Sequence, residues 1–112
     1  MEAYNFATLF HSLQRFEEAK TLLRKTIPVA RRVFGDSKEI TLTMRKLYAT
    51  TLRLDRDATL DDLNEAVTTL EEIEPTARRV LGGAHPDVVG IERDLQYARA
   101  ALRARETPST SA

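Results

Sequence analysis

The sequence predicts an all-α protein: an α-solenoid of five helices arranged as about two and a half hairpins. Three observations lead there. Apolar residues recur at steps of three and four along nearly the whole chain, which is the period of an amphipathic helix. Glycine and proline are sparse, four of each in 112 residues. The phrase PVARRVFG, Pro28 to Gly35, returns as PTARRVLG, Pro75 to Gly82, and self-similarity at a fixed period marks a stacked array.

The first helix is expected over about Ala3–Leu13, where Phe6, Ala7, Leu9, Phe10 and Leu13 form one stripe. Gln14-Arg15 is a short turn. The second helix runs from about Phe16 to Phe34, with Phe16, Ala19, Leu22, Leu23, Ile27 and Val33 as its apolar side. Gly35 ends it, since glycine tolerates the left-handed backbone that closes a helix. Arg31 and Arg32 place positive charge at the negative end of the helix dipole. Ser37 is the expected N-cap of a third helix, about Lys38–Leu54, carrying Ile40, Met44, Leu47, Tyr48 and Leu54. DRDAT is a loop. Thr59 and Asp62 then stand three apart, like a capping box with Asp for Glu. The fourth helix, about Leu60–Leu81, stops at Gly82-Gly83. Pro86 suits the first position of a fifth helix and Asp87 its first turn. Val88, Ile91, Leu95, Ala98 and Leu102 give that helix a heptad-like face to about Arg105.

The second and fourth helices are copies at an offset of 47: Gly35/Gly82, Val33/Val80, Arg32/Arg79, Pro28/Pro75, Leu23/Leu70 and Ala19/Ala66. The first and third pair better at 41, through Phe6/Leu47 and Leu13/Leu54. The six-residue difference is expected in the loop before the fourth helix. The junction after Gly35 reads one residue shorter than that after Gly82. The unit is thus an antiparallel helix pair, and the fifth helix opens a third pair. Such a pair cannot bury its own apolar face, so neighbours must stack. The polar flanks of the fifth helix make it a solvating cap, whereas the outer face of the first hairpin is expected to stay uncovered. Each repeated proline removes one helical hydrogen bond and crowds the carbonyl four residues back, Arg24 or Glu71, at about 3 kcal/mol. A kink or local opening is therefore expected near Ile27 and Glu74.

Lys+Arg and Asp+Glu balance at 17 each, which argues against nucleic acid or an anionic membrane as partner. With no cysteine there is no disulfide or thiolate chemistry, and no apolar run approaches the roughly 20 residues of a membrane span. The start, MEAYNFATLF, does not read as a secretion signal. His11 and His85 form no ligand pair, so no metal site is expected; His85 reads as a helix-start residue, and His11 as lying on the less buried side of its helix. DRDATLDD, Asp55 to Asp62, has alternating acids but Leu60 and Ala66 where a calcium loop needs Gly and Glu. Gly82-Gly83 is a helix stop, with no phosphate cradle. No catalytic residue, enzyme activity or cofactor is expected.

The repeat resembles the tetratricopeptide repeat, in the longer form found in kinesin light chains. The residues that carry the resemblance are Phe16-Glu17-Glu18-Ala19, Leu22-Leu23 and Val33-Phe34-Gly35, then Leu63-Asn64-Glu65-Ala66, Val80-Leu81-Gly82 and His85-Pro86-Asp87-Val88. The light-chain pair Asn-Asn before Leu-Ala departs here to Tyr4-Asn5 before Phe6-Ala7, Arg45-Lys46 before Leu47, and Arg93-Asp94 before Leu95. The resemblance implies right-handed superhelical stacking and a concave groove for a partner peptide, with Asn5, Arg45 and Lys46 on it. Arg and Lys in those slots would favour carboxylates. No heptad region of the light-chain kind stands in these 112 residues, so attachment to a motor by that route is not expected.

The expected organisation is a repeat domain over residues 1–105, with repeat 1 about 3–35, repeat 2 about 38–82 and a capping helix about 86–105. Residues 106–112 form a disordered tail. The expected function is a protein–protein interaction module, a light-chain-type fragment related to cargo adaptors, with an acidic protein or peptide as partner. The alternative is an assembly element that self-associates or stacks within a longer array. The expected setting is the cytoplasm, in association with the cytoskeleton.

Overall fold

The computed structural model describes residues 2–106. Five helices follow one another: α1 (Glu2–Ser12), α2 (Phe16–Phe34), α3 (Glu39–Leu54), α4 (Leu60–Leu81) and α5 (Pro86–Glu106). Among the described residues there is no strand. The body measures 51 × 30 × 21 Å. Glu106, expected in the tail, ends α5; residues 107–112 lie outside the described residues.

The order of contacts is that of stacked hairpins. Each helix packs on the next, and α3 also meets α1 and α5. α3 is therefore buried on more than one side, through Thr41, Leu42, Met44, Tyr48, Ala49, Thr51 and Leu52. Leu23 and Ala30 of α2 reach it from one side, and Ala66, Leu70, Ile73 and Ala77 of α4 join the same core. The repeat pairs Ala19/Ala66 and Ala30/Ala77 are all fully buried. A methyl group there lets neighbouring backbones come close: Thr41 Oγ1 lies 3.5 Å from the Ala30 carbonyl. Larger side chains at these positions would overpack the contact.

The structural register corrects two expectations. Lys38, not Ser37, stands at the N-cap of α3, with extended backbone and no side-chain cap. Each junction then holds three residues between glycine and helix, Asp36–Lys38 and Gly83–His85, so the two are equally long. The 47-residue offset therefore runs on through α3 and α5. The six-residue expansion lies only partly in the loop. The turn Leu13–Arg15 becomes the five-residue Asp55–Thr59, α3 runs one residue further than α1, and α4 starts one turn earlier than α2 does. Thr59 and Asp62 make the reciprocal capping bonds that secure this extra turn.

Gly35 and Gly82 close α2 and α4 at φ 87° and 93°. Their ψ values, 167° and 147°, lie outside the left-handed helical region and in one that side chains with a Cβ avoid. Both prolines sit inside unbroken helices. The expected opening does not interrupt either one.

The ends differ. Residues 47 apart on α3 and α5 show why α5 works as a cap: Ala49 and Leu52, buried against the core, become Gln96 and Arg99, which are exposed. At the other end Ala7 is the one fully buried residue of α1. Phe6, Leu9 and Leu13 of α1 are about half exposed, in line with the uncovered outer face expected of the first hairpin; Leu54 is also about half exposed, and Val33 is 63% exposed.

One buried ion pair ties the long loop to the first hairpin. Lys20 Nζ donates to Asp55 Oδ2 at 2.9 Å, with Glu17 Oε1 at 2.8 Å on its outer side. Arg105 holds the same loop from α5 by donating to the Ala58 carbonyl at 2.9 Å. Burial opposes ionisation of Asp55, but the Asp57 backbone N–H and the Lys20 ammonium overcome it and hold the carboxyl below its ordinary range. A carboxyl lowered in this way stabilises the fold at neutral pH and loses that effect as pH falls below about 4. Asp55→Ala leaves Lys20 buried with only an exposed partner, and is expected to cost about 3 kcal/mol in urea unfolding at pH 7. The gap to wild type should narrow in acid.

Candidate functional site

The first helices of the repeats, α1, α3 and α5, share one face, and a cleft of about 300 Å³ opens on it. Tyr4 borders it from α1. Thr43, Lys46, Leu47 and Thr50 come from α3, and Asp87, Arg93 and Asp94 from α5.

Two cations define its electrostatics. Lys46 lies across α5 at Gly90, where an added β-carbon would stand 2.5 Å from Nζ and 3.0 Å from Cε. A helix-interior glycine costs about 1 kcal/mol against alanine, and here its bare backbone makes room for the lysine. Arg93 is the residue 47 positions after Lys46 and lines the same cleft. Neither joins a salt bridge among the described residues, while Arg45, Arg53, Arg78 and Arg99 all do.

The cleft floor is a buried polar knot. Asp94 takes the position that Leu47 holds one repeat earlier. Its Oδ2 accepts from Thr50 Oγ1 at 2.6 Å, and its Oδ1 from Arg53 Nη2 at 3.2 Å. The Arg53 guanidinium stacks over Tyr97 at 5.2 Å, a favourable cation–π arrangement, while its Nε is buried without a partner. Asp94 is thus occupied by Thr50 and Arg53 of α3, and the free charge that faces the cleft from its walls is positive at Lys46 and Arg93 and negative at Asp87.

The three groove positions expected from the sequence are not brought together. Lys46 is in the cleft. Arg45, the next residue on the helix, points about 100° away: it pairs with Glu72 at 2.5 Å and borders Arg24, Pro28 and Tyr48 on the α2–α4 side. Asn5 is exposed on α1 beside Glu2, Phe6 and Leu9. Arg93 was not among the expected groove positions, although it stands in the corresponding slot before Leu95. The 47-residue offset, carried unbroken past the glycines, was the signal that finds it.

The remaining candidates resolve into structure. His11 is half buried at the α1–α3 contact, not on a free side; its Nδ1 lies 2.9 Å from Thr51 Oγ1. The Thr51 hydroxyl is also 2.8 Å from the Leu47 carbonyl, which can only accept, so the Thr51 proton goes there and His11 Nδ1–H donates. Burial lowers the His11 pKa, Asp94 counters, and Arg53 adds to the lowering. In the loop, Asp55 is taken by Lys20 and by the Asp57 backbone N–H at 3.0 Å, and Asp62 by the capping box. Arg31 pairs with Asp36, and Arg78 with Glu74 and Glu92. Glu39, His85 and Asp87 place ligand atoms within 4.8 Å of one another. His85 Nδ1, however, already accepts from the Asp87 backbone N–H at 3.1 Å. Glu39 and Asp87 also sit at helix N-termini, where carboxylates already complement the dipole.

Among the described residues no helix is long and apolar enough to cross a membrane. Residues 3–37 match the tetratricopeptide repeat family. The match covers α1, α2 and the start of the following turn, and the internal repeat ties α3, α4 and α5 to the same unit. The described residues form an all-α helical repeat whose first hairpin matches the tetratricopeptide repeat. No curated protein and no solved structure matches it. Tetratricopeptide repeats are, as a rule, non-catalytic modules that bind other proteins.

The polar knot gives a stability test. Asp94→Leu strands the Arg53 guanidinium and is expected to lower unfolding free energy by about 3 kcal/mol. The pair Arg53→Met/Asp94→Leu removes both charges and should recover most of that loss in urea melts.

Proposed function

We propose that this chain is a protein-interaction module whose α1–α3–α5 cleft takes an acidic segment of a partner protein. The single observation behind this reading is the pair of repeat-related cations, Lys46 and Arg93, which face one cleft without a salt-bridge partner among the described residues. A peptide carboxylate between them would gain two charge-assisted contacts. Asp94 would not compete, because Thr50 and Arg53 already use its oxygens. Tyr4 and Leu47 supply apolar surface beside the charges, and tyrosine and arginine are among the residues in which interface energy concentrates.

The light-chain form of the repeat enters this reading through Val80-Leu81-Gly82 and His85-Pro86-Asp87-Val88. It suggests an adaptor that holds a cargo or scaffold protein in the cytoplasm. Arg45 and Asn5 play no part in the proposed contact, since they face other surfaces.

Labelled Glu-rich and Lys-rich peptides of equal length, titrated by fluorescence anisotropy, test the proposal. Acidic peptide should bind preferentially, and its affinity should fall as salt rises. Lys46→Glu/Arg93→Glu should weaken binding at least about tenfold, which is about 1.4 kcal/mol, whereas Arg45→Gln should leave it nearly unchanged. Equal binding of both peptides, or loss through Arg45→Gln alone, would sink the reading.

A further inference from the structure

The outward flank of α2 carries an apolar strip. Leu22, Val29 and Val33 fall at steps of seven and four, so they lie within a narrow arc of the helix. Val29 is 41% and Val33 63% exposed. Phe10 of α1 extends this strip beside Leu22. Glu18, Lys25 and Arg32 run along its edge at intervals of seven.

The repeat shows what kind of element fits there. The α4 counterparts of Glu18 and Leu22, 47 residues on, are Glu65 and Thr69. They line a cleft together with Arg24, Ile27 and Pro28 of α2. So in the second hairpin this flank faces α2 across a cleft. On α2 the same flank is more apolar, with Leu22 and Val29 in place of Thr69 and Thr76; Phe10 of α1 borders its Leu22 end, while Val29 and Val33 stay exposed.

We propose that a second copy of this chain covers the flank, α2 against α2, antiparallel about a two-fold axis near Lys25. The charge order of the helix selects this arrangement. Glu17 and Glu18 lie in the first turn, Arg31 and Arg32 in the last. An antiparallel pair centred on Lys25 sets Glu18 of each copy opposite Arg32 of the other, with Leu22 against Val29. The strip is then self-complementary, as an isologous contact requires. The two Lys25 ammonium groups flank the axis and reach water on their flexible stems. A parallel pairing would stack acid on acid at one end and base on base at the other. The contact is separate from the cleft and stands without the peptide reading.

Sedimentation velocity from low micromolar to high concentration tests the dimer, with circular dichroism confirming that each variant stays helical. Wild type should associate in a concentration-dependent way. Val29→Glu should weaken association at least about tenfold. Glu18→Lys and Arg32→Glu should each weaken it, and the combined Glu18→Lys/Arg32→Glu swap should restore it, because the pairing is re-made with reversed sign. A strict monomer at every concentration would overturn the proposal. So would a dimer indifferent to Val29→Glu, or a swap no better than its single variants. If wild type is monomeric but gains stability when another hairpin is fused ahead of α1, the occupant is an upstream repeat and a second copy is excluded.

Discussion

No helical pair in this chain has enough apolar surface on one side to fold alone, and α3 is where that constraint is met. It receives α2 on one side and α4 on the other, and touches both remaining first helices. The approach is close because alanine stands at each contact: Ala19, Ala30, Ala49, Ala66 and Ala77 are all fully buried. The energetic consequence is quasi-one-dimensional. Each hairpin owes its stability to its neighbour, and the interfaces carry the fold. The buried Lys20–Asp55 pair and the Arg105–Ala58 bond then fix the long loop at the points where helix packing cannot reach it.

Most of the architecture was legible from residues. All five helices fall within one residue of the expected limits at each end, and α2 and α4 match at both. These are the two helices whose ends carry strong chemistry, with Gly35 and Gly82 as stops and the Thr59–Asp62 capping box as a start. What failed was one junction. Ser37 looked like an N-cap because its hydroxyl can serve as one, but the repeat places Lys38 there, and tertiary packing of α3 outweighs a single capping bond. The exposure of Phe6, Leu9 and Leu13 was legible too, because in this sequence no polar capping helix precedes the first hairpin as α5 follows the second.

The cleft illustrates how a repeat gains individuality without changing shape. The backbone position filled by Leu47 in one copy holds Asp94 in the next, and Thr43 gives way to Gly90. The aspartate draws in Thr50 and Arg53, and the glycine opens space for Lys46. These two substitutions on equal scaffolding open a charged recess. Arg45, one residue from Lys46, serves the opposite surface through Glu72, so adjacent basic residues belong to separate tasks.

The asymmetry between the two ends has a dynamic meaning. α5 closes its end with Gln96 and Arg99, whereas α1 contributes a single fully buried residue, Ala7. In a linear array the terminal unit with the thinnest interface opens first, well below the free energy of global unfolding. Amide exchange should therefore be graded along the chain, quickest in α1 and slowest in α3. Tyr4, which borders the cleft, rides on the segment that opens first. The wall of the recess that α1 supplies is thus a hinged one, able to leave and return while the α3–α5 wall stays in place.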